Sequence, residues 1–107
     1  MRKALINGKI VFKDRIEELD IIYDSLILEI GKNLNVESCE ILDAKGAYVS
    51  SGFIDIHIHG SRGADVMDGE LSSLETISKA VLNNGVTSYL ATTMTMSQQD
   101  ITKSFSV

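Results

Sequence analysis

The sequence predicts an α/β chain in two parts, an all-β part over residues 1–50 and a strand–helix–strand–helix part over residues 51–107. Three observations predict this. Short apolar runs alternate with turn signals through the first half. Near residue 50 the apolar spacing lengthens from that of strands to that of a helix. A strand, a capped helix and a second strand then follow in βαβ order, which requires parallel strands and a right-handed crossover. Two parallel strands leave both sheet edges unpaired, so the 107 residues are expected to be an incomplete piece of a larger sheet.

In the first part, Ala4–Ile6 and Lys9–Phe12 flank Asn7-Gly8, the strongest short hairpin signal available. Further strands are expected at Leu19–Tyr23, Leu26–Ile30, Cys39–Leu42 and Ala47–Val49, broken by Asp24-Ser25, Gly31-Lys32-Asn33 and Ala44-Lys45-Gly46. Strands this short need a second sheet to cover their apolar face. In the second part Phe53–Ile58 is a strand, and Ser72-Ser73-Leu74-Glu75 offers a capping box with Ser72 as the cap. The helix that follows carries Leu74, Ile77, Val81 and Leu82 on one stripe and stops at Asn83-Asn84-Gly85, where glycine can take the left-handed closing conformation. Val86–Ala91 is the second strand, and Ser97 with Asp100 opens another helix.

Composition removes several function classes. Hydrophobic residues are 44% and charged residues 23%, near the average for a globular protein and unlike a disordered one. The formal charge of −5 provides no basic stripe for nucleic-acid phosphates, so no nucleic-acid partner is expected. The acidic residues, among them Glu17, Glu18, Asp20, Glu37 and Glu40, are scattered as on a solvated surface. Cys39 is the only cysteine, which excludes an internal disulfide and a multi-cysteine metal site. No run of about 18 apolar residues is present, so no membrane association is expected and a reducing cytoplasm is the default.

The chemistry concentrates in Gly52-Phe-Ile-Asp-Ile-His-Ile-His-Gly60. Strict strand alternation would set Ile54, Ile56 and Ile58 on one face and Asp55, His57 and His59 on the other. Two histidines spaced by two on a strand have Cα atoms roughly 6.5–7 Å apart, close enough for both rings to reach one ion at ~2.0–2.1 Å. In a (β/α)8 barrel the isoleucines would meet the surrounding helices while the polar face looked inward near the catalytic end. His57 and His59 are therefore the candidate metal ligands, with Asp55 one step deeper as a residue placed either to help hold them or to hydrogen-bond within the barrel. His-x-His is a short motif, and surface or core histidines are its bland alternative. At the end of the second strand Thr92 and Thr93 are candidates for lining a substrate loop, although β-branched residues are common in strands anyway. Met94 and Met96 read as gap-fillers. Asp65 and Asp68, in the loop after the histidines, suit a turn at least as well as a functional role.

The same nine residues are similar to the first barrel strand of the amidohydrolase superfamily, which usually reads Pro-Gly-Phe-Ile-Asp-x-His-x-His. Gly63-Ala-Asp-Val-Met-Asp68 and Gly85-Val-Thr-Ser-Tyr-Leu-Ala-Thr-Thr-Met-Thr95 resemble the N-acetylglucosamine-6-phosphate deacetylase branch. The resemblance implies half of a small β-sandwich over residues 1–50, then the first βαβ of a (β/α)8 TIM-like barrel over residues 51–107, incomplete as a barrel. It implies hydrolysis of the acetamide of N-acetylglucosamine 6-phosphate to glucosamine 6-phosphate and acetate by metal-activated water. The implied cofactor is a divalent metal ion such as zinc or iron, the partner an amino-sugar phosphate substrate, and the assembly a homodimer. His57 and His59 match the pair that binds metal in members with two-metal sites. Ser51 stands where the family has proline, which frees a backbone dihedral without touching the chemistry. A glutamate ligand, two later histidines and the catalytic aspartate are expected beyond residue 107, so the chain alone is expected to be inactive. Alternatives are a dihydroorotase-like or adenine-deaminase-like hydrolase, or a non-catalytic interaction module that pairs by strand addition.

Overall fold

A computed structural model describes residues Met1–Val107. They form two compact units, Met1–Ser51 and Gly52–Val107. The chain is mixed α/β, as expected.

The first unit is a single five-stranded sheet. Its strands are β1 (Lys3–Val11), β2 (Ile16–Tyr23), β3 (Ile27–Gly31), β4 (Glu40–Asp43) and β5 (Tyr48–Val49), in the order β3-β2-β1-β4, with β5 also pairing β1. β1 is antiparallel to β2 and parallel to β4 and β5. The expected hairpin at Asn7-Gly8 does not form. β1 runs straight through it, and the register steps from Leu5↔Ile21 to Gly8↔Leu19, which leaves one extra residue on β1. Asn7 takes that place with φ 56°, a left-handed conformation that asparagine tolerates. Its backbone amide donates to Asp20 Oδ1 at 3.2 Å and its side-chain amide to Asp43 Oδ1 at 3.0 Å. The backbone preference of Asn-Gly serves a bulge as well as a turn, and pairing on both sides of β1 carries the strand onward. The reversal comes at Lys13-Asp14, where the Phe12 amide donates to the Arg15 carbonyl at 2.8 Å. Ala4, Ile10 and Ile22 are buried, while Leu26, Ile27, Ile41 and Leu42 stay exposed, the condition of a sheet with one layer only.

The second unit holds β6 (Phe53–Ile58), the short strands β7 (Gly60–Ser61) and β8 (Ala64–Asp65), α1 (Leu71–Leu82), β9 (Val86–Ala91) and α2 (Gln98–Ser104). β6 and β9 are parallel and α1 is the crossover between them. A 3-10 turn at Val66–Asp68 precedes α1 and carries the capping box that was expected at Ser72. The Asp65 carboxylate accepts from the Met67 amide at 2.8 Å, and Asp68 Oδ2 accepts from the Asp65 amide at 2.9 Å. α1 starts one residue before Ser72, with extended Glu70 as a cap that makes no side-chain bond. Ser72 is thereby inside the helix, where its carbonyl accepts from Thr76 Oγ1 at 2.9 Å. The stripe that α1 buries centres on Ile77, fully buried, and Ala80. Leu82, expected on it, lies at the last turn and is 59% exposed. Gly85 ends the connection with φ 81°, its amide donating to the Leu82 carbonyl at 2.9 Å. Ser97 caps α2 as expected, accepting from the Asp100 amide at 3.2 Å.

Ile77 has the largest fully buried side chain in the protein. Ile77→Ala should therefore cost about 2–5 kcal/mol, read as a lower denaturation midpoint for the second unit in urea titration.

Candidate metal centre

The register of β6 against β9 decides where the histidines point. Asp55 lies beside Tyr89 and Ile58 beside Ala91, so three steps on β6 match two on β9 and the extra residue falls at Ile56–His57. Tyr89 and Ala91 are two apart on β9 and share a face, which puts Asp55 and Ile58 together on that face. It is the helix side: the Tyr89 hydroxyl lies 2.9 Å from Ser78 Oγ on α1. Strict alternation is thus corrected. His57 and His59 occupy the opposite face, along with Ile54, and Asp55 is not among them. Exposure agrees, with Ile54 69%, Ile56 74% and Leu90 61% exposed on this open face, while Asp55, Ile58 and Tyr89 are half-buried.

On the open face the two rings converge. His57 Nε2 and His59 Nε2 are 3.1 Å apart, with ring planes at 81°. Ligands at ~2.0–2.1 Å from one ion and separated by this 3.1 Å subtend about 95–100° there, an angle that four- and five-coordinate ions accept. His59 Nδ1 lies 2.9 Å from the Thr92 carbonyl. A carbonyl only accepts, so Nδ1 carries the proton and Nε2 presents its lone pair to the convergence point. The pair fits a divalent metal in spacing, and His59 fits it in tautomer as well. No group of three or more His, Cys, Asp or Glu side chains that could hold a metal ion gathers in the chain.

Backbone contacts hold the pair. The His59 carbonyl accepts from the Val66 amide at 2.8 Å, and the Ile58 carbonyl from the Thr92 amide at 2.8 Å. His59 is thereby tied both to the turn after β8 and to the loop after β9. Gly60 is needed where β7 and β8 close, since a Cβ there would sit 2.3 Å from the Ala64 carbonyl oxygen. The Asp55 carboxylate accepts from the His57 backbone amide at 3.0 Å and does not bond either imidazole. Thr92 reaches the site through its main chain, for its hydroxyl donates to the Leu90 carbonyl at 3.1 Å. Thr93 follows it, half-buried. The carbonyl of Thr92 and the amide of Val66 carry no residue-specific signal and were invisible in the sequence.

Asp65 and Asp68 are engaged in the turn after β8. Asp68 Oδ2 accepts from Ser73 Oγ at 2.7 Å, and its carbonyl accepts from Lys103 Nζ at 2.8 Å. The Ser73 hydroxyl, then the Asp65 amide and the Lys103 charge, hold the Asp68 carboxyl below its ordinary value. The first unit contains a separate concavity of about 370 Å³, lined by Asn7, Glu18, Leu19, Asp20, Lys32, Asn33 and Gly46, with no histidine or cysteine.

No family model matches the chain. Over 84 residues it is 37% identical to an N-acetylglucosamine-6-phosphate deacetylase of Lysinibacillus sphaericus, an alignment covering 78% of this chain and 22% of the relative. Over 60 residues it is 42% identical to a dihydroorotase of Macrococcus caseolyticus, covering 55% of this chain and 14% of that protein. Among solved structures, the crystal structure of N-acetylglucosamine-6-phosphate deacetylase from Pasteurella multocida superposes with a TM-score of 0.91 at 25% identity, covering all of this chain and 29% of that one. The chain thus spans between about a fifth and three-tenths of the length of these two deacetylases. A parallel βαβ bearing His-x-His on its open face, with these relatives, resembles a segment of the amidohydrolases. Within that class the chain resembles the N-acetylglucosamine-6-phosphate deacetylases in both sequence and fold. No helix is long and apolar enough to cross a membrane.

Two outcomes follow from these contacts. Gly60→Ala should force β7 from β8 and displace His59, seen as loss of the His59 Nδ1 hydrogen bond in imidazole ¹⁵N spectra. Because the Asp68 pKa is depressed on folding, its stabilisation is present above the unfolded carboxylate value near 3.8 and fades as pH falls through the lower folded value. Asp68→Asn should therefore flatten the acid limb of the stability curve below about pH 4, measured by urea unfolding at stepped pH, and by a modest amount because the group faces solvent.

Proposed function

We propose that this chain supplies the first strand of a (β/α)8 barrel and two ligands of the metal site of a deacetylase acting on N-acetylglucosamine 6-phosphate. Residues 1–50 then form half of a β-sandwich, and residues 51–107 the first βαβ of the barrel. The carrying observation is the convergence of His57 and His59 Nε2 at 3.1 Å, with the His59 tautomer fixed by Thr92. A divalent metal bound there would polarise the amide carbonyl and make a water more acidic. His57 and His59 would hold it, the Thr92 carbonyl would keep His59 Nε2 bare, and Thr92 and Thr93 would border the substrate. Water adds to the acetamide carbonyl, the C–N bond breaks, and acetate and the free amine of glucosamine 6-phosphate leave. The resemblance carries a homodimer and a cytoplasmic setting with it.

The dihydroorotase relative supports a second reading, hydrolysis of a cyclic amide at the same histidines. Substrate choice separates them. The enzyme containing these residues should release acetate from N-acetylglucosamine 6-phosphate and leave dihydroorotate unchanged, and the reverse preference would overturn the deacetylase assignment. His57→Ala and His59→Ala should each weaken metal retention by at least the roughly 10–100-fold that losing an outer-shell partner costs, with turnover falling in parallel. The 107-residue chain alone should release no acetate with zinc added.

A further inference from the structure

We propose that Asp55 is a positioning residue, whose carboxylate staples the bulge that turns His57 and His59 onto the open face of the sheet; the metal role of the pair rests on the reading above. If β6 matched β9 residue for residue beyond Asp55↔Tyr89, position 57 would lie beside Ala91. Both histidines would then face α1, because a slip of one residue exchanges the faces of a strand. The extra residue at Ile56–His57 gives the helix-side position beside Ala91 to Ile58 and sends the histidines to the other side.

A bulge leaves residues outside the ladder, and His57 is one of the two that lie between the paired positions Asp55↔Tyr89 and Ile58↔Ala91. Asp55 Oδ1 accepts from the His57 backbone amide at 3.0 Å. An aspartate closes this contact to the amide two residues on because its side chain has a single methylene, as in an Asx turn. Glutamate, one methylene longer, keeps the charge and loses the ring size. Asparagine keeps the ring size and loses the charge. Neither Asp55 oxygen bonds an imidazole, so the carboxylate acts on the site through the backbone of His57.

The test compares Asp55→Asn, Asp55→Glu and Asp55→Ala in the whole protein, using zinc ion as the probe. Two readouts are taken: zinc affinity, and, without metal, hydrogen exchange of the His57 amide together with imidazole ¹⁵N shifts. Asp55→Asn should retain His57 amide protection and zinc affinity within about threefold. Asp55→Glu and Asp55→Ala should lose the protection and weaken zinc by at least about tenfold, the scale of an outer-shell loss. Should the alanine variant not fold, the asparagine–glutamate pair decides alone. The reverse order, glutamate normal and asparagine weak, would mean that charge rather than the staple matters and would overturn the proposal. So would unchanged amide protection in both Asp55→Glu and Asp55→Ala. If the parent protein binds no zinc yet the amide and ring signatures follow the predicted order, the staple stands and the metal reading fails.

Discussion

The pairing of β6 with β9, and the extra residue that β6 carries between its pairings at Asp55 and Ile58, is the constraint on which the second unit depends. Parallel strands must be joined by a crossover, and α1 provides it, burying Ile77 and Ala80 beneath itself. That crossover defines a covered face and an open face. A strand with ideal alternation would have committed Asp55, His57 and His59 to one face together. The extra residue at Ile56–His57 breaks this commitment, so that Asp55 and Ile58 go to the helix and the histidines go outward. Every contact at the histidine pair presupposes that switch.

Once the histidines are on the open face, short loops finish the arrangement with main-chain atoms. The Val66 amide on the His59 carbonyl and the Thr92 carbonyl on the His59 ring come from segments far apart in sequence, brought together by the βαβ path. The turn that presents Val66 is itself fixed by Asp65 and Asp68, whose carboxylates cap it, and by Ser73 and Lys103, which join it to α1 and α2. Gly60 allows the close approach of β8 behind the site. The two aspartates are thus architectural, as their loop positions allowed.

The first unit teaches a related lesson about backbone preference. Asn7-Gly8 has the residues of a hairpin and becomes a bulge, because β1 has partners along both edges and Asp20 and Asp43 bond to the asparagine. Local preference for a left-handed residue was legible; whether the chain turns or continues there depended on strands as distant as β4 and β5. Ser72 shows the same thing in a helix. Its type suits a cap, yet the Asp65–Asp68 turn upstream set the helix start one residue earlier.

By itself, the sequence determined the α/β class, the parallel βαβ order, the helix stop at Gly85, the Ser97 cap and the identity of the two candidate ligands. These follow from hydrophobic period, capping chemistry and side-chain type, all of which are local. Only the tertiary structure decided which face the histidines take, which nitrogen of His59 is bare, and what holds His57 in place. Strand parity is set by the partner strand's register, and the His59 tautomer by a carbonyl 33 residues away along the chain. A backbone carbonyl is the same at every position in a sequence, so its placement is a property of the fold.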